Sequence, residues 1–160
     1  IPMEKLLSIQ YPYTFEFHKK HFTYIIENFG VHSEVVKLSL TPKKINLSED
    51  GRTGERSISL SANEIPLLEF NPDHLEGETE KTTNQRSWYS LTSFKTFLTH
   101  AKVLDKKDIL RFSFKQTHPL LCHFEKDLRL HNEGKIGTFI LNSYYAARAD
   151  ETETKSEDEL

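Results

Sequence analysis

Apolar and polar residues exchange places along this chain with two different periods, and the same succession of periods comes round twice. Tyr13, Phe15 and Phe17 alternate with Thr14 and Glu16, which predicts a short strand. Phe22, Ile25, Ile26 and Phe29 then recur at helical spacing and predict a helix from Lys19 to Phe29, stopped by Gly30. Val36, Leu38 and Leu40 followed by Ile45 and Leu47 predict a hairpin, closed by Thr41, Pro42 and Lys43. After a turn at Asp50, Gly51 and Gly54, Ile58, Leu60 and Ala62 alternate with Ser57, Ser59 and Ser61. Small hydroxyl residues on one face and no charge within that run mark it as an edge open to pairing with another chain.

The second round begins with a strand at Trp88–Leu91. A helix follows, with Phe94, Phe97, Leu98 and Ala101 on one face and Lys95, Thr96, Thr99, His100 and Lys102 on the other. Leu110, Phe112 and Phe114 form a strand, and Pro119 to Phe124 returns as a more apolar one. Leu128–His131, a turn at Asn132–Gly134 and a final strand Gly137–Tyr145 complete the pattern. Lys37-Leu38-Ser39-Leu40 lies over Arg111-Phe112-Ser113-Phe114, and the run Phe22 to Ile26 over Phe94 to Leu98. This order predicts a duplicated βαβββ unit, an α+β fold with two antiparallel helices on one face of antiparallel sheet. Asn63 to Gln85, broken by Pro66, Pro72 and Gly77, reads as a mobile loop with a short strand at Leu67–Phe70.

Composition changes this picture in a few places. A chain of 160 residues suits one domain with a substantial core. The net charge of −3 hides an asymmetry: residues 149–160 carry −5, which leaves the body at +2. That acidic tail reads as disordered. No apolar run approaches the roughly 20 residues of a membrane span, and no signal-peptide pattern opens the chain, so a cytosolic or nuclear location is expected. Cys122, the single cysteine, excludes an intrachain disulfide and a cysteine zinc site and reads as a buried, inert thiol. Ile1 to Gln10 has no clear helix start and reads as a connector cut from something longer.

Enzyme chemistry finds little support. His18 and His21, and His118 and His123, are the histidine pairs at suggestive spacing, but no HExxH or carboxylate-completed set accompanies them. GxGxxG, P-loop and GxSxG motifs are absent, and the acids crowd into loops and tail, where burial to tune them is lacking. The terminal Glu157-Asp158-Glu159-Leu160 lacks the basic residue of a retention signal, and the sequon Asn46-Leu47-Ser48 means little without secretion. No cofactor or metal is expected.

The order of helix, hairpin, long loop and final strand, with THPLLCHFE in the last hairpin and SYYAARADE near the end, resembles the DNA sliding clamps over roughly residues 11–150. The resemblance implies a DNA-clamp fold: residues 1–10 a connector remnant, 11–148 one clamp domain, 149–160 a disordered acidic tail. The loop before Trp88, the GTFILNSYYA ending and the acidic extension look most like the checkpoint clamp, the heterotrimeric nine-one-one ring, and within it the second domain of the subunit with the long phosphorylated tail. A non-enzymatic nuclear protein is implied, with two other clamp subunits, a clamp loader, checkpoint and repair proteins and duplex DNA as partners.

By position, the resemblance places Lys20, His21 and Tyr24 of the first helix and Ser93, Thr96 and His100 of the second toward DNA, flanked by Lys19, Lys95 and Lys102. Such a lining needs cations and hydrogen-bond donors but no base readout, and this one is weakly basic. Arg56, Ser57, Ile58, Ser59, Leu60, Ser61 and Ala62 match the edge strand that a neighbouring subunit extends. Met3, Leu6 and Leu7, with Pro119, Tyr144, Tyr145 and Ala146, match the region where clamps receive partner peptides. The alternative is a small β-rich interaction module unrelated to clamps.

Overall fold

The two strands that open the two repeats do not stay with their own repeats, and the architecture follows from that exchange. A computed structural model describes residues 1–75 and 83–149 of the chain. Its elements are α1 (Met3–Leu7), β1 (Tyr13–His18), α2 (Lys19–Glu27), β2 (Val35–Leu40), β3 (Lys44–Asp50), β4 (Glu55–Ser61), β5 (Leu67–Phe70), β6 (Gln85–Ser90), α3 (Leu91–His100), β7 (Ile109–Phe114), β8 (Leu120–Leu130) and β9 (Gly134–Tyr145). One antiparallel sheet runs β5-β1-β7-β8-β9, the other β4-β3-β2-β6. β1 of the first repeat thus pairs with β7 of the second, Tyr13 facing Phe114 and His18 facing Ile109. β6 of the second repeat pairs with β2 of the first in the equivalent register, Gln85 facing Leu40 and Ser90 facing Val35. The duplication expected from the periods is therefore real, and it is interlocked.

Both helices pack in one layer over the sheets. Phe22 of α2 and Phe94 of α3 meet edge-on at 5.7 Å. Phe22 also lies 4.8 Å from Phe112 on β7, and Phe97 of α3 lies 5.7 Å from the same ring. Phe15 stacks on Phe112 from β1 at 5.0 Å. Of the inward positions predicted from alternation, Leu38, Leu40, Ile45 and Leu47 are buried in the same core, whereas Ile58 and Leu60 on β4 are partly buried and Ala62 is exposed. Two phenols enter it with their hydroxyls satisfied: Tyr89 donates to the His118 carbonyl at 2.9 Å and Tyr13 to that of Thr83. Burial pushes the Tyr13 phenol up to about 12. Cys122 is fully buried on β8, which pushes its thiol well above the ordinary value and removes the thiolate that reactivity requires.

Two glycines sit where a side chain has no room or the wrong geometry. α2 ends at Glu27 with Asn28 as its cap, shorter than the helix to Phe29 expected; Gly30, three residues past its end, has a φ of +99°, and its N–H donates to Glu49 Oε2 at 2.7 Å. At Gly51 a Cβ would fall 2.2 Å from the His32 carbonyl oxygen, so the β3–β4 turn closes against that loop only with glycine.

The observed elements differ from the expected ones in several places: β6 spans Gln85–Ser90, Leu91 opens α3 rather than ending a strand, and β9 begins at Gly134. β8 is continuous through what alternation reads as two pieces, because Lys126 occupies an inward position between Phe124 and Leu128 and hides the period. Ile1–Gln10, read as an irregular connector, contains the short helix α1. The long loop holds β5, as expected, and a 3₁₀ turn at Pro72–His74; its residues 76–82 and the acidic tail from residue 150 lie outside the described residues.

Because Phe112 touches both helices and β1, Phe112→Ala should cost about 3–5 kcal/mol of unfolding free energy, read by urea denaturation, whereas Phe112→Leu should cost less than half of that.

Candidate functional site

The N-terminus of α2 carries positive charge against its own dipole, and the structure shows how that is tolerated. His18, Lys19, Lys20 and His21 crowd this end with no side-chain cap. The loop before β7 supplies carbonyls instead. The Lys19 amide donates to the Asp108 carbonyl at 2.8 Å and the Lys20 amide to that of Lys106 at 3.0 Å. Lys19 Nζ reaches the Leu104 carbonyl at 2.8 Å. These bonds satisfy donors that the helix itself leaves open.

That loop is in turn held by β8. Lys126 Nζ donates to Asp108 Oδ2 at 2.7 Å and to Asp105 Oδ2 at 2.9 Å, and the Asp105 amide donates to Asp108 Oδ2. Burial would raise the Asp108 carboxyl, but the Lys126 ammonium and the Asp105 amide outweigh it and hold it below its ordinary value. The same carboxylates raise Lys126, with the Asp108 hydrogen bond the largest cause. Asp105-Lys106-Lys107-Asp108 looks electrically neutral in sequence. In the fold its acids engage Lys126, while Lys106 and Lys107 stay exposed beside Lys20 and the helix end.

Seven of the nine residues expected on the helix surface are exposed: Lys20, His21, Tyr24, Lys95, Thr96, His100 and Lys102. Lys19 is half-buried by its tie to Leu104, and Ser93 is half-buried on α3. Lys106 and Lys107 were not anticipated, since the loop that presents them is positioned by residues distant in sequence.

Tyr24, 69% exposed, stands over a groove between α2 and β4. The groove encloses about 750 Å³ and is floored by Phe17, Ile25, Ile58, Leu60 and Ile65, with Lys20, Lys106, Glu27 and Glu64 around it. A smaller hollow of about 320 Å³ continues between Tyr24, Phe29 and Arg56. β4 is the last strand of its sheet, so among the described residues one of its backbone edges is unpaired. Arg56 to Ser61 lie on it and Ala62 follows directly. Arg56 donates to the Asn28 carbonyl at 2.9 Å, tying the edge to the end of α2. The Ser61 hydroxyl and amide both donate to Glu64 and lower that carboxyl.

β9 ends the other sheet and, among the described residues, is also unpaired on one side. Its hairpin with β8 runs past the rest of the sheet and exposes Leu130, Ile136, Phe139 and Ile140, with Phe139 stacked on Phe124 at 6.1 Å. Sequence reading gave this strand no such role, although its lack of alternation toward the turn was a visible sign.

At the corner of α1, Tyr11 donates to the Pro119 carbonyl at 2.8 Å. A cavity of about 520 Å³ there is lined by Lys5 of α1 and the flanking Ile1 and Ser8 together with His74, His118 and Pro119. Of the residues expected around a peptide site, it gathers Pro119 but not Met3, Leu6 or Leu7, because the N-terminal segment turns Ile1, Lys5 and Ser8 toward it. Met3 and Leu7 are exposed, Tyr144 and Tyr145 are half-buried and Ala146 is exposed. Among the described residues, no group of three or more His, Cys, Asp or Glu is placed to hold a metal, and no helix is long and apolar enough to cross a membrane.

Comparison with solved structures gives the fold its name. The chain superimposes on proliferating cellular nuclear antigen (PCNA) from Entamoeba histolytica with a TM-score of 0.61 and 18% identity, covering 92% of this chain and 48% of that one. PCNA from Thermococcus kodakaraensis gives 0.64 at 17% identity, covering 92% and 50%. A. fulgidus PCNA, in a structure with the C-terminal region of FEN-1 bound, gives 0.64 at 15%, covering 94% and 50%. The protein has the α+β clamp fold and spans about half the length of these PCNA chains. No protein-family model and no curated protein sequence matches it.

The Lys126 cluster makes a pH-dependent prediction. Asp108 is depressed in the fold, so its contribution is present above its ordinary value of 3.8 and is lost as pH falls through the lower folded value. Asp108→Asn should therefore lower the thermal midpoint at neutral pH, and the gap to the parent should narrow in acid below that range. Amide exchange at Lys19 and Lys20 should quicken in the same variant.

Proposed function

We propose that this chain is one domain of a ring-shaped DNA sliding clamp, a scaffold rather than an enzyme. The observation that carries the reading is the combination of one helix layer with two sheets, each ending in an unpaired strand. β4 on one sheet and β9 on the other are suited to edge-to-edge addition between domains, which closes a ring with the helices on its inside. The groove between Tyr24 and Ile58 lies beside the β4 edge and is sized for side chains of the same neighbour.

On this reading Lys20, His21, Ser93, Lys95, Thr96, His100 and Lys102 contribute to a helix surface over the phosphate backbone of duplex DNA, joined by Lys106 and Lys107. Lys19 acts mainly by holding the loop that presents the last two. Met3, Leu6, Leu7, Tyr144, Tyr145 and Ala146, near Pro119, offer apolar surface to partner peptides. The GTFILNSYYA ending and the acidic extension favour the checkpoint ring within the clamp class. Two further clamp subunits, a clamp loader, repair proteins and a nuclear location are then the expected setting.

Assembly tests this first. The full subunit mixed with candidate clamp-like chains should elute as a closed trimer in size-exclusion chromatography with light scattering, and Tyr24→Glu should weaken that association by about tenfold or more without changing the thermal midpoint. A subunit that stays alone with every clamp-like chain would favour the small interaction module instead. For DNA, Lys20→Glu and Lys95→Glu in the assembled ring should reduce affinity for duplexes of any sequence. They should also flatten the slope of log affinity against log salt by about 0.9 for each phosphate no longer neutralised. An unchanged salt slope would sink the assignment of these helices to DNA.

A further inference from the structure

The face of the β4-β3-β2-β6 sheet turned away from the core carries a cluster that the clamp reading does not use. Leu38, Leu40, Ile45 and Leu47 point into the core, so the residues that alternate with them point out. Register lays these outward residues in rows about 7 Å apart. Lys37 of β2 faces Trp88 of β6, and in the next row Ser39 faces Arg86 and Asn46. One row further, two residues before Asn46 on β3, Lys44 is exposed on the same side. Three successive rows thus each present a cation. Lys37 Nζ is 6.0 Å from the centroid of the indole of Trp88, the one tryptophan of the chain, and the Arg86 guanidinium is 5.8 Å from it. Both contacts stand at the outer limit of cation–π attraction, so the cations are free to turn to a stronger anion. Among the described residues Lys37, Arg86 and Lys44 form no ion pair. The carboxylates that follow in register, Asp50 and Glu55, stand on β3 and β4, with at least one strand between them and Trp88.

The strand edge beside this cluster is closed to an added peptide strand. β6 ends its sheet, yet the Arg86 amide donates to Gln116 Oε1 at 2.9 Å and the Trp88 carbonyl accepts from the Arg148 amide at 2.7 Å. A peptide here would have to bind without the main-chain pairing that gives strand addition its affinity. What the face offers instead is one half-buried aromatic plane and cations at regular steps. That combination suits a ligand that repeats a negative charge and a flat ring in every unit, as single-stranded nucleic acid does. A duplex suits it less, because its bases are stacked on one another and have no free plane to offer an indole.

We propose that the Lys37–Trp88–Arg86 face binds single-stranded nucleic acid without sequence preference. One base lies against the Trp88 indole and the Arg86 guanidinium plane, while Lys37 and Lys44 hold neighbouring phosphates. The site is on the opposite side of the sheet from the core and uses none of the residues assigned to duplex DNA on the helices. It stands or falls separately from the clamp reading.

Trp88 is its own reporter. Titrating the full chain with a short oligothymidylate at low salt should quench Trp88 fluorescence to saturation. A blunt duplex of the same length, or polyglutamate, should quench it at concentrations about tenfold higher or not at all. Lys37→Gln/Arg86→Gln should weaken oligothymidylate binding, read by anisotropy of a labelled strand, by about tenfold or more, with the thermal midpoint unchanged. It should also flatten the salt slope by about 0.7 for each phosphate no longer neutralised. By the same anisotropy reading Trp88→Leu should weaken binding and Trp88→Phe, which keeps a ring, should retain most of it. In the assembled ring Lys37→Gln/Arg86→Gln should leave duplex affinity as it was, so failure of this site and failure of the helix surface read separately. Absence of quenching at low salt overturns the proposal. So does quenching by polyglutamate or duplex as tight as by oligothymidylate, or unchanged oligothymidylate affinity in Lys37→Gln/Arg86→Gln.

Discussion

The exchange of first strands between the two repeats is the constraint on which the rest of this structure depends. With β1 in the sheet of the second repeat and β6 in the sheet of the first, neither repeat has a complete sheet of its own. The exchange brings Phe15 and Phe17 of the first repeat against Phe112 of the second. Each helix follows directly from its exchanged strand, so α2 and α3 are delivered to one layer above Phe112. Dispersion and apolar burial at this ring join elements that start almost 100 residues apart, which is the kind of meeting that costs loop entropy first and stabilises afterwards.

The interlocked core also sets what is left over. Strands inside each sheet are paired on both sides, and the sheet edges fall on β4 and β6 of one sheet and on β5 and β9 of the other. The helices turn their polar faces away from Phe22, Phe94 and Phe97, and Lys20, Lys95 and, just past α3, Lys102 are exposed. The charge of the Asp105–Asp108 loop is sorted by Lys126, a cation on an inward position of β8 that pulls both carboxylates to itself. What would have been a neutral loop becomes a basic one at the end of α2. The same loop quiets the helix dipole by lending its carbonyls to Lys19 and Lys20.

Much of this was legible in the residues. The alternations at Tyr13–Phe17, Val36–Leu47 and Leu110–Phe114 became β1, β2–β3 and β7, and Phe22, Ile25, Ile26 and Phe94, Phe97 became the buried stripes of α2 and α3. The alignment of Lys37–Leu40 over Arg111–Phe114 holds in the register of the two sheets. The edge character of Arg56–Ser61 was visible in its serines. The length of β8 was hidden by Lys126 and the helix at Met3–Leu7 by the lack of a cap, and the cavity at Pro119 takes the Lys5 side of that segment rather than its apolar Met3/Leu6/Leu7 side.

The sequence by itself determined the local periods, the turns and the repeat, because each is written in residues two to seven positions apart and needs no partner to be read. Only the tertiary structure decided which strands would pair and therefore which edges stay open. It also decided that Tyr24 stands over a groove with Ile58, that Lys106 and Lys107 face outward, and that Lys37, Arg86 and Arg148 gather around Trp88. The physical reason is separation. The Lys19 ammonium finds its carbonyl 85 residues away, and Arg111 finds Glu16 at a distance of 95, and no local spacing encodes such a meeting.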